Sequence, residues 1–322
     1  MLTQPERSRE RLDRTTFTYS VVIPVYNSET VVGTTIDRVV EVFEQAGLKY
    51  ELILVNDGSS DDSWWVIADK ARANPCLVAL NLLHNYGQHN ANLAGLREST
   101  GDYVITMDDD MQNPPDQVLR LIDTAMLGHD AVFGDFERKQ AAGPRRLGSK
   151  AIGLINRRIF GQPDDLVVSN FRILRRDVVT RICASRTAYP YITGQALLYS
   201  RDRANVTVRH DPRSSGKSNY SPLRIARLVM TILFSYSSYP LRLLGYVGFC
   251  IAGASFVYGF IYLIHGAFGS SHVRGWTTLV VLLSIFNGFI IAMLSMLGEY
   301  VVRTLSAVSD KDSYHVIERV SG

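Results

Sequence analysis

The sequence predicts an α/β protein with a mostly parallel, Rossmann-like sheet, followed by a transmembrane hairpin of two helices. Short apolar strands alternate with amphipathic helical stretches from Tyr19 to Asp116, the pattern of a parallel sheet with crossover helices. One of those strands, Val104-Ile105-Thr106-Met107, runs straight into Asp108-Asp109-Asp110. Two late stretches, Leu243 to Ile264 and Trp276 to Leu297, carry no charge over 22 positions each. A helix needs about 20 residues to cross a bilayer core.

The first strand is Tyr19 to Val25, with Pro24 near its end, where a missing N–H is tolerated. Val32, Ile36, Val39, Val40 and Phe43 recur at helical spacing and predict a helix ending near Gly47. Tyr50 to Val55 is the second strand, and Ser60 or Asp61 can cap the helix that carries Trp64 and Ile67. Leu77 to Leu82 is the third. Asn85-Tyr86-Gly87-Gln88-His89 follows, then a helix from about Asn90 to Glu98. A Gly-containing loop before a helix can receive an anion; His89 there is either an ordinary polar group or a base. Tyr103 to Met107 is the fourth strand, and Asn113-Pro114-Pro115-Asp116 opens the next helix.

Right-handed crossovers bring the carboxyl ends of these strands to one rim, where open α/β sheets bind ligands. Asp57 and Asp108 to Asp110 therefore form one constellation. Adjacent carboxylates repel unless a cation neutralises them, and hard oxygen ligands suit Mg²⁺ or Mn²⁺, which also take phosphate oxygens. The resulting reading is a metal-dependent site for a nucleotide diphosphate; the plain alternative is a solvated acidic turn.

Beyond Gly134 the pattern loosens. Lys139, Arg145, Arg146 and Lys150 in and around a basic loop either reach phosphates or are solvated. Arg209 to Tyr220 is a Gly/Ser loop with three cations, Arg209, Arg213 and Lys217, suited to covering a diphosphate because Arg forks pair with phosphate oxygens. Pro222 to Pro240 is amphipathic and reads as interfacial. Arg224, Arg227 and Arg242 precede the first uncharged stretch, Arg303 and Lys311 follow the second, and the connection has only Arg274. That bias places both termini in the cytoplasm. The expected organisation is a charged arm (1–18), an α/β catalytic domain (19–220), an interfacial helix (221–241), a transmembrane hairpin (242–303) and a cytoplasmic tail (304–322).

Composition narrows the classes further. Arg7, Arg9, Arg11 and Arg14 make the arm a solvated or membrane-surface segment, and no signal peptide is expected there. A net charge of +3 gives no nucleic-acid footprint. Cys76, Cys183 and Cys250 are scattered, without zinc spacing or a disulfide framework, which fits a reducing compartment.

Five motifs stand in order: V-I-P-V-Y-N (Val22 to Asn27), N-D-G-S-S-D (Asn56 to Asp61), N-Y-G-Q-H (Asn85 to His89), D-D-D-M-Q-N-P-P (Asp108 to Pro115) and R-S-S-G-K-S (Arg213 to Ser218). With the hairpin, they resemble family-two GT-A glycosyltransferases of the polyprenyl-phosphate branch, a group that includes dolichyl-phosphate mannose synthase and bacterial undecaprenyl-phosphate glucosyl- and aminoarabinosyltransferases. The resemblance implies a GT-A catalytic domain at the bacterial inner membrane. There it would pass a sugar, with inversion, from a nucleotide diphosphate sugar (UDP-glucose type by default) to polyprenyl phosphate, with Mg²⁺ or Mn²⁺ as cofactor. It also implies residue roles. Pro24, Tyr26 and Glu29 line the nucleotide pocket, and Asp57 accepts a hydrogen bond from the base. Asp108 and Asp110 are the D-x-D pair, catalytic and metal-binding, with Asp110 the direct ligand and Asp108 nearer ribose or sugar. Asp109 adjoins the donor and Gln112 the sugar. Arg213, with Lys217, grips the diphosphate and is catalytic. Arg145, Lys150 and Arg172 meet the lipid phosphate. Assembly as a homo-oligomer, a tetramer, is also implied.

The sequence departs from the family pattern at Ser28, Asn56, Asn219 and Asn170, the last standing where close relatives carry an Asp regarded as a candidate base. The chemistry does not demand a base, because the acceptor phosphate is already ionised near neutral pH and needs alignment with the donor. Two alternatives remain. A processive polysaccharide synthase would carry a Q-x-x-R-W motif that Gln195 to Tyr199 does not supply. A membrane scaffold that binds nucleotide sugar without turnover would account for Asn56, Asn170 and Asn219.

Overall fold

The computed structural model describes residues 11–136, 153–209 apart from 186 and 188, 222–237, scattered positions of 240–261, 276–308 and 313–322. The first half alternates as its sequence pattern requires: β1 (Thr18–Val25), α1 (Val32–Ala46), β2 (Lys49–Asn56), α2 (Ser63–Ala73), β3 (Leu77–Leu82), α3 (Gln88–Glu98), β4 (Tyr103–Thr106), α4 (Val118–Ala125) and β5 (Ala131–Phe136). After helix α5 (153–160) come β6 (Arg172–Arg175), α6 (Arg176–Ala184), α7 (Ile192–Tyr199), β7 (Arg203–Val208), α8 (Pro222–Tyr236), α9 (Trp276–Val308) and β8 (Val316–Ser321).

The eight strands form one sheet in the order β7-β5-β6-β4-β1-β2-β3-β8. β1 is central, parallel to β2 and β4, and every residue after Thr18 is buried. Only β6 and β8 run against the rest. Val32, Ile36, Val39 and Phe43 of α1 pack on Tyr19, Val21, Ile23, Leu52 and Leu54 in the main core. Gly47 ends α1 at φ 62°, a conformation that favours glycine. Pro24 is tolerated inside β1 because its nitrogen faces β4, beyond the last ladder pair, Val22 with Thr106.

Three features add to the sequence reading. Within 304–322, β8 pairs antiparallel with β3 and Arg319 reaches Glu98 at 2.9 Å. The basic arm is tied down from Arg11 onward. Arg11 and Arg14 both meet Asp123 on α4, at 2.8 and 3.2 Å, and Leu12 N–H donates to Met126 O. The third helix begins at Gln88, not Asn90, so His89 lies inside it.

The chain divides into two compact units, residues 1–226 with 312–322, and residues 227–311. In the second, α9 is a single helix of 33 residues, about 50 Å long and longer than the predicted span. Among the described residues it is the one helix long and apolar enough to cross a membrane, over Ile285–Val302, and none of that stretch is buried. The Tyr300 hydroxyl donates to Ser237 O at 2.8 Å beyond the end of α8. The predicted first span, 243–264, falls largely outside the described residues.

Candidate active site

The carboxyl ends of β1, β2 and β4 meet at one rim, as the crossovers require, and four aspartates stand there. Asp57 follows β2 and is buried. Its Oδ1 accepts from Tyr86 N–H at 2.8 Å and its Oδ2 from Gly87 N–H at 3.0 Å. Burial pushes its pKa up to about 6 against those two hydrogen bonds. Gly58, at φ 64°, lies against the backbone of His84 and Asn85, so a side chain has no room there. The loop after β2 is thereby locked to the loop after β3.

That second loop continues to the third acidic position. Gln88, the first residue of α3, donates from Nε2 to Asp108 Oδ1 at 2.6 Å, and Asn170 Nδ2 donates to the same oxygen at 3.2 Å. Tyr86-Gly87-Gln88 thus links Asp57 to Asp108. Burial raises the pKa of Asp108, and the nearby Asp110 raises it further. Asp109 turns inward. Its Oδ2 accepts from Tyr26 N–H at 3.4 Å, its carbonyl accepts from the Thr35 hydroxyl at 2.9 Å, and burial pushes its pKa up to about 6. Asp110 is partly exposed and accepts from Gln112 N–H at 3.1 Å. Met111 at φ 59° completes this tight turn; a non-glycine residue held there is strained.

The other predicted site residues divide. Tyr26 is 48 % exposed at the mouth of the rim, Pro24 is buried inside β1, and Gln112 sits on the turn beside Asp110. Glu29 is occupied in the scaffold. Its Oε2 accepts from Asp62 N–H at 2.9 Å and its own N–H donates to Asp61 at 3.1 Å, clasping the start of α2. Arg172, which the resemblance assigns to the lipid phosphate, is enclosed by the protein. It is 0 % exposed, behind the rim, and donates from Nη1 to Thr193 Oγ1 at 2.9 Å. Arg145, Lys150, Arg213 and Lys217 lie outside the described residues.

Sequence reading missed Gln88 and Thr35 as parts of the site. The signal for Gln88 was its place, one residue after a glycine and at the head of a helix facing the acidic strand end. Asn56 gains a place in the fold: its Nδ2 donates to Asn81 Oδ1 at 2.8 Å across the β2–β3 pair.

An α/β fold whose strand ends gather Asp57 and three consecutive aspartates has the design of a nucleotide-sugar glycosyltransferase of the GT-A kind. Comparison with known proteins agrees. The family described as "Glycosyl transferase family 2" matches residues 20–183. A Pseudomonas fluorescens protein named undecaprenyl-phosphate 4-deoxy-4-formamido-L-arabinose transferase is 34 % identical over 92 % of this chain and 88 % of its own. The Shewanella sediminis protein of the same name is 34 % identical over 94 % of this chain and 92 % of its own. Among solved structures, glucosyl-3-phosphoglycerate synthase from Mycobacterium tuberculosis, in complex with Mn²⁺, UDP and phosphoglyceric acid, is similar in fold, with TM-score 0.52 and 21 % identity over 68 % of this chain and 78 % of its own. The chain belongs to glycosyl transferase family 2, and it is a glycosyltransferase.

Proposed function

We propose that this protein transfers a sugar from a nucleotide diphosphate sugar to the phosphate of a polyprenyl lipid, undecaprenyl phosphate, at the cytoplasmic face of a bacterial plasma membrane. The observation that carries the reading is the rim itself: Asp57 at the end of β2 and Asp108 to Asp110 at the end of β4, joined through the Tyr86-Gly87-Gln88 loop. The names of the relatives support the acceptor and the reaction.

The rim suits a divalent cation that arrives with its substrate. Among the described residues no cluster of three or more His, Cys, Asp or Glu forms a ready cage. Mg²⁺ and Mn²⁺ at phosphate-transfer sites use one or two carboxylates and take further ligands from the phosphates. Asp110, with Asp108, would hold the ion, which when bound neutralises the leaving diphosphate as a Lewis acid. The chain's own residues orient the rest. Tyr26 and Pro24 border the nucleotide, Asp57 and its clamped loop face the base, and Gln112 adjoins the sugar. Arg213 and Lys217 serve the diphosphate, and Arg145 and Lys150 the lipid phosphate. No residue needs to remove a proton from an ionised phosphate, so Asn170 is compatible with turnover. It holds Asp108 instead.

Membrane insertion belongs to the same proposal. Residues 227–311 leave the catalytic unit and re-enter it before β8, so any membrane crossings between them are even in number. With α9 as one span, the uncharged stretch 243–264 supplies the other, and both ends stay with the catalytic unit in the cytoplasm. Assembly as a tetramer remains part of the reading.

For the donor, a UDP-glucose type sugar follows from the sequence resemblance, and a second reading, a nucleotide-linked 4-deoxy-4-formamido-L-arabinose, follows from the sugar in the relatives' names. The test is transfer of label from each donor to undecaprenyl phosphate by detergent-solubilised protein, with Mn²⁺ and with EDTA. Lipid-extractable product from one donor, lost in EDTA, is expected. Donor binding without product from any donor would leave the scaffold reading, and polymeric product the synthase reading.

A further inference from the structure

Arg172 stands on β6 opposite Thr106 of β4, two residues from Asn170, whose side chain holds Asp108. Its Nη1 is bonded to Thr193, while Nε and Nη2 are buried without a hydrogen-bond partner among the described residues. No carboxylate among the described residues lies within ion-pair distance of it. A buried guanidinium in that condition is costly, so its retention calls for a reason. The groups around it are neutral or acidic. His89 is half-buried with its Nδ1 shielded from solvent, desolvation pushes its pKa down to about 4, and its ring lies edge-on to Tyr191 at 5.2 Å. Tyr191 is a buried phenol. Tyr191 and then Asp108 favour the charged guanidinium, and the strand register sets Arg172 beside the residues that lead to Asp108: Thr106 faces it, and Asn170, two residues before it, holds Asp108.

We propose that Arg172 is the internal counter-charge of the aspartate rim. It is a positioning residue that keeps Asp108 aligned while no cation is bound and weakens the grip of the rim on a lone divalent cation, so that the ion is held only together with a nucleotide diphosphate. The inference rests on the reading of Asp108 and Asp110 as the cation's ligands.

The sign of one measurement separates this role from a merely structural one. Arg172→Met keeps the bulk and removes the charge; Arg172→Lys keeps the charge and loses the fork. Mn²⁺ binding to the solubilised full chain is titrated by electron paramagnetic resonance, with and without uridine diphosphate. A counter-charge predicts that Arg172→Met binds Mn²⁺ without nucleotide at least about fivefold more tightly than wild type, with Arg172→Lys near wild type. Weaker or unchanged Mn²⁺ binding in Arg172→Met, or failure of that variant to fold, overturns the inference. Wild-type protein that binds no Mn²⁺ even with uridine diphosphate overturns the metal reading first and this inference with it, which distinguishes the two failures.

Discussion

At the amino-terminal edge of the sheet, Arg175 holds Asp130 at 2.9 Å and Asp177 at 2.7 Å, and Arg181 adds a contact to Asp177 at 3.4 Å. Arg175 keeps the Asp177 carboxyl below its usual range. At the carboxyl edge, Asp57, Asp108 and Asp109 are held by backbone amides and carboxamides, and burial drives all three upward. The first edge has spent its negative charge on its own arginines. An open groove of about 610 Å³ also lies at the amino edge, lined by Phe17, Asp102, Tyr103, Arg175, Arg176 and Asp177, where cations and acids already satisfy one another.

Neutralising one acid at each edge breaks the comparison most directly. Asp110→Asn should lower sugar transfer at least about a thousandfold and abolish its response to Mn²⁺, with the melting midpoint little changed. Asp177→Asn should leave transfer within about twofold of wild type and cost about 1 kcal/mol of stability, the upper range for partly exposed ion pairs. Labelled-sugar transfer and thermal melts on both variants decide it. Equal loss of transfer from the two would mean that the edges do not differ in function.

A smaller effect tests the neutral scaffold of the rim. Gln88→Ala removes one of the two donors to Asp108 Oδ1. Partners that orient metal-binding side chains are worth about tenfold or more in metal affinity or activity. The expected result is about a tenfold fall in kcat with the donor KM nearly unchanged, since Asp57 and its amide clamp remain. A rise in donor KM alone would assign Gln88 to the nucleotide instead.

How far the sequence reveals this arrangement follows from which interactions are local. β1 to β4 and their helices are legible because apolar period and strand-end acids are written within short windows, and Asp57 with Asp108 to Asp110 follows from topology. β5, β6 and β7 escape notice because they are short and β6 runs antiparallel. β8 escapes because Ile317, Glu318 and Arg319 are largely solvent-facing on an edge strand, so nothing in its composition announces burial. Glu29 and Arg172 show what a motif leaves out: a charged residue in one reads as facing ligand, whereas the fold has one clasp the start of α2 and buries the other. Only tertiary packing holds that information.

The smallest expected effect concerns the histidine beneath the rim. His129, at the amino edge, has Asp202 at 3.0 Å as an acceptor, whereas His89 Nδ1 is buried without a partner among the described residues. Burial lowers the His89 pKa from 6.5 to about 4, so between these values the unfolded chain binds a proton that the folded chain refuses. Stability from the neutral imidazole is full above 6.5 and is lost as pH falls toward about 4. His89→Phe keeps an aromatic ring against Tyr191 and abolishes that titration. Wild type should therefore lose on the order of 1 kcal/mol more than His89→Phe on going from neutral pH to about pH 5, read as a difference in melting midpoints. Parallel pH profiles for the two proteins would mean that His89 is reached by solvent, and that the acids above it are less sheltered than their neutral partners imply.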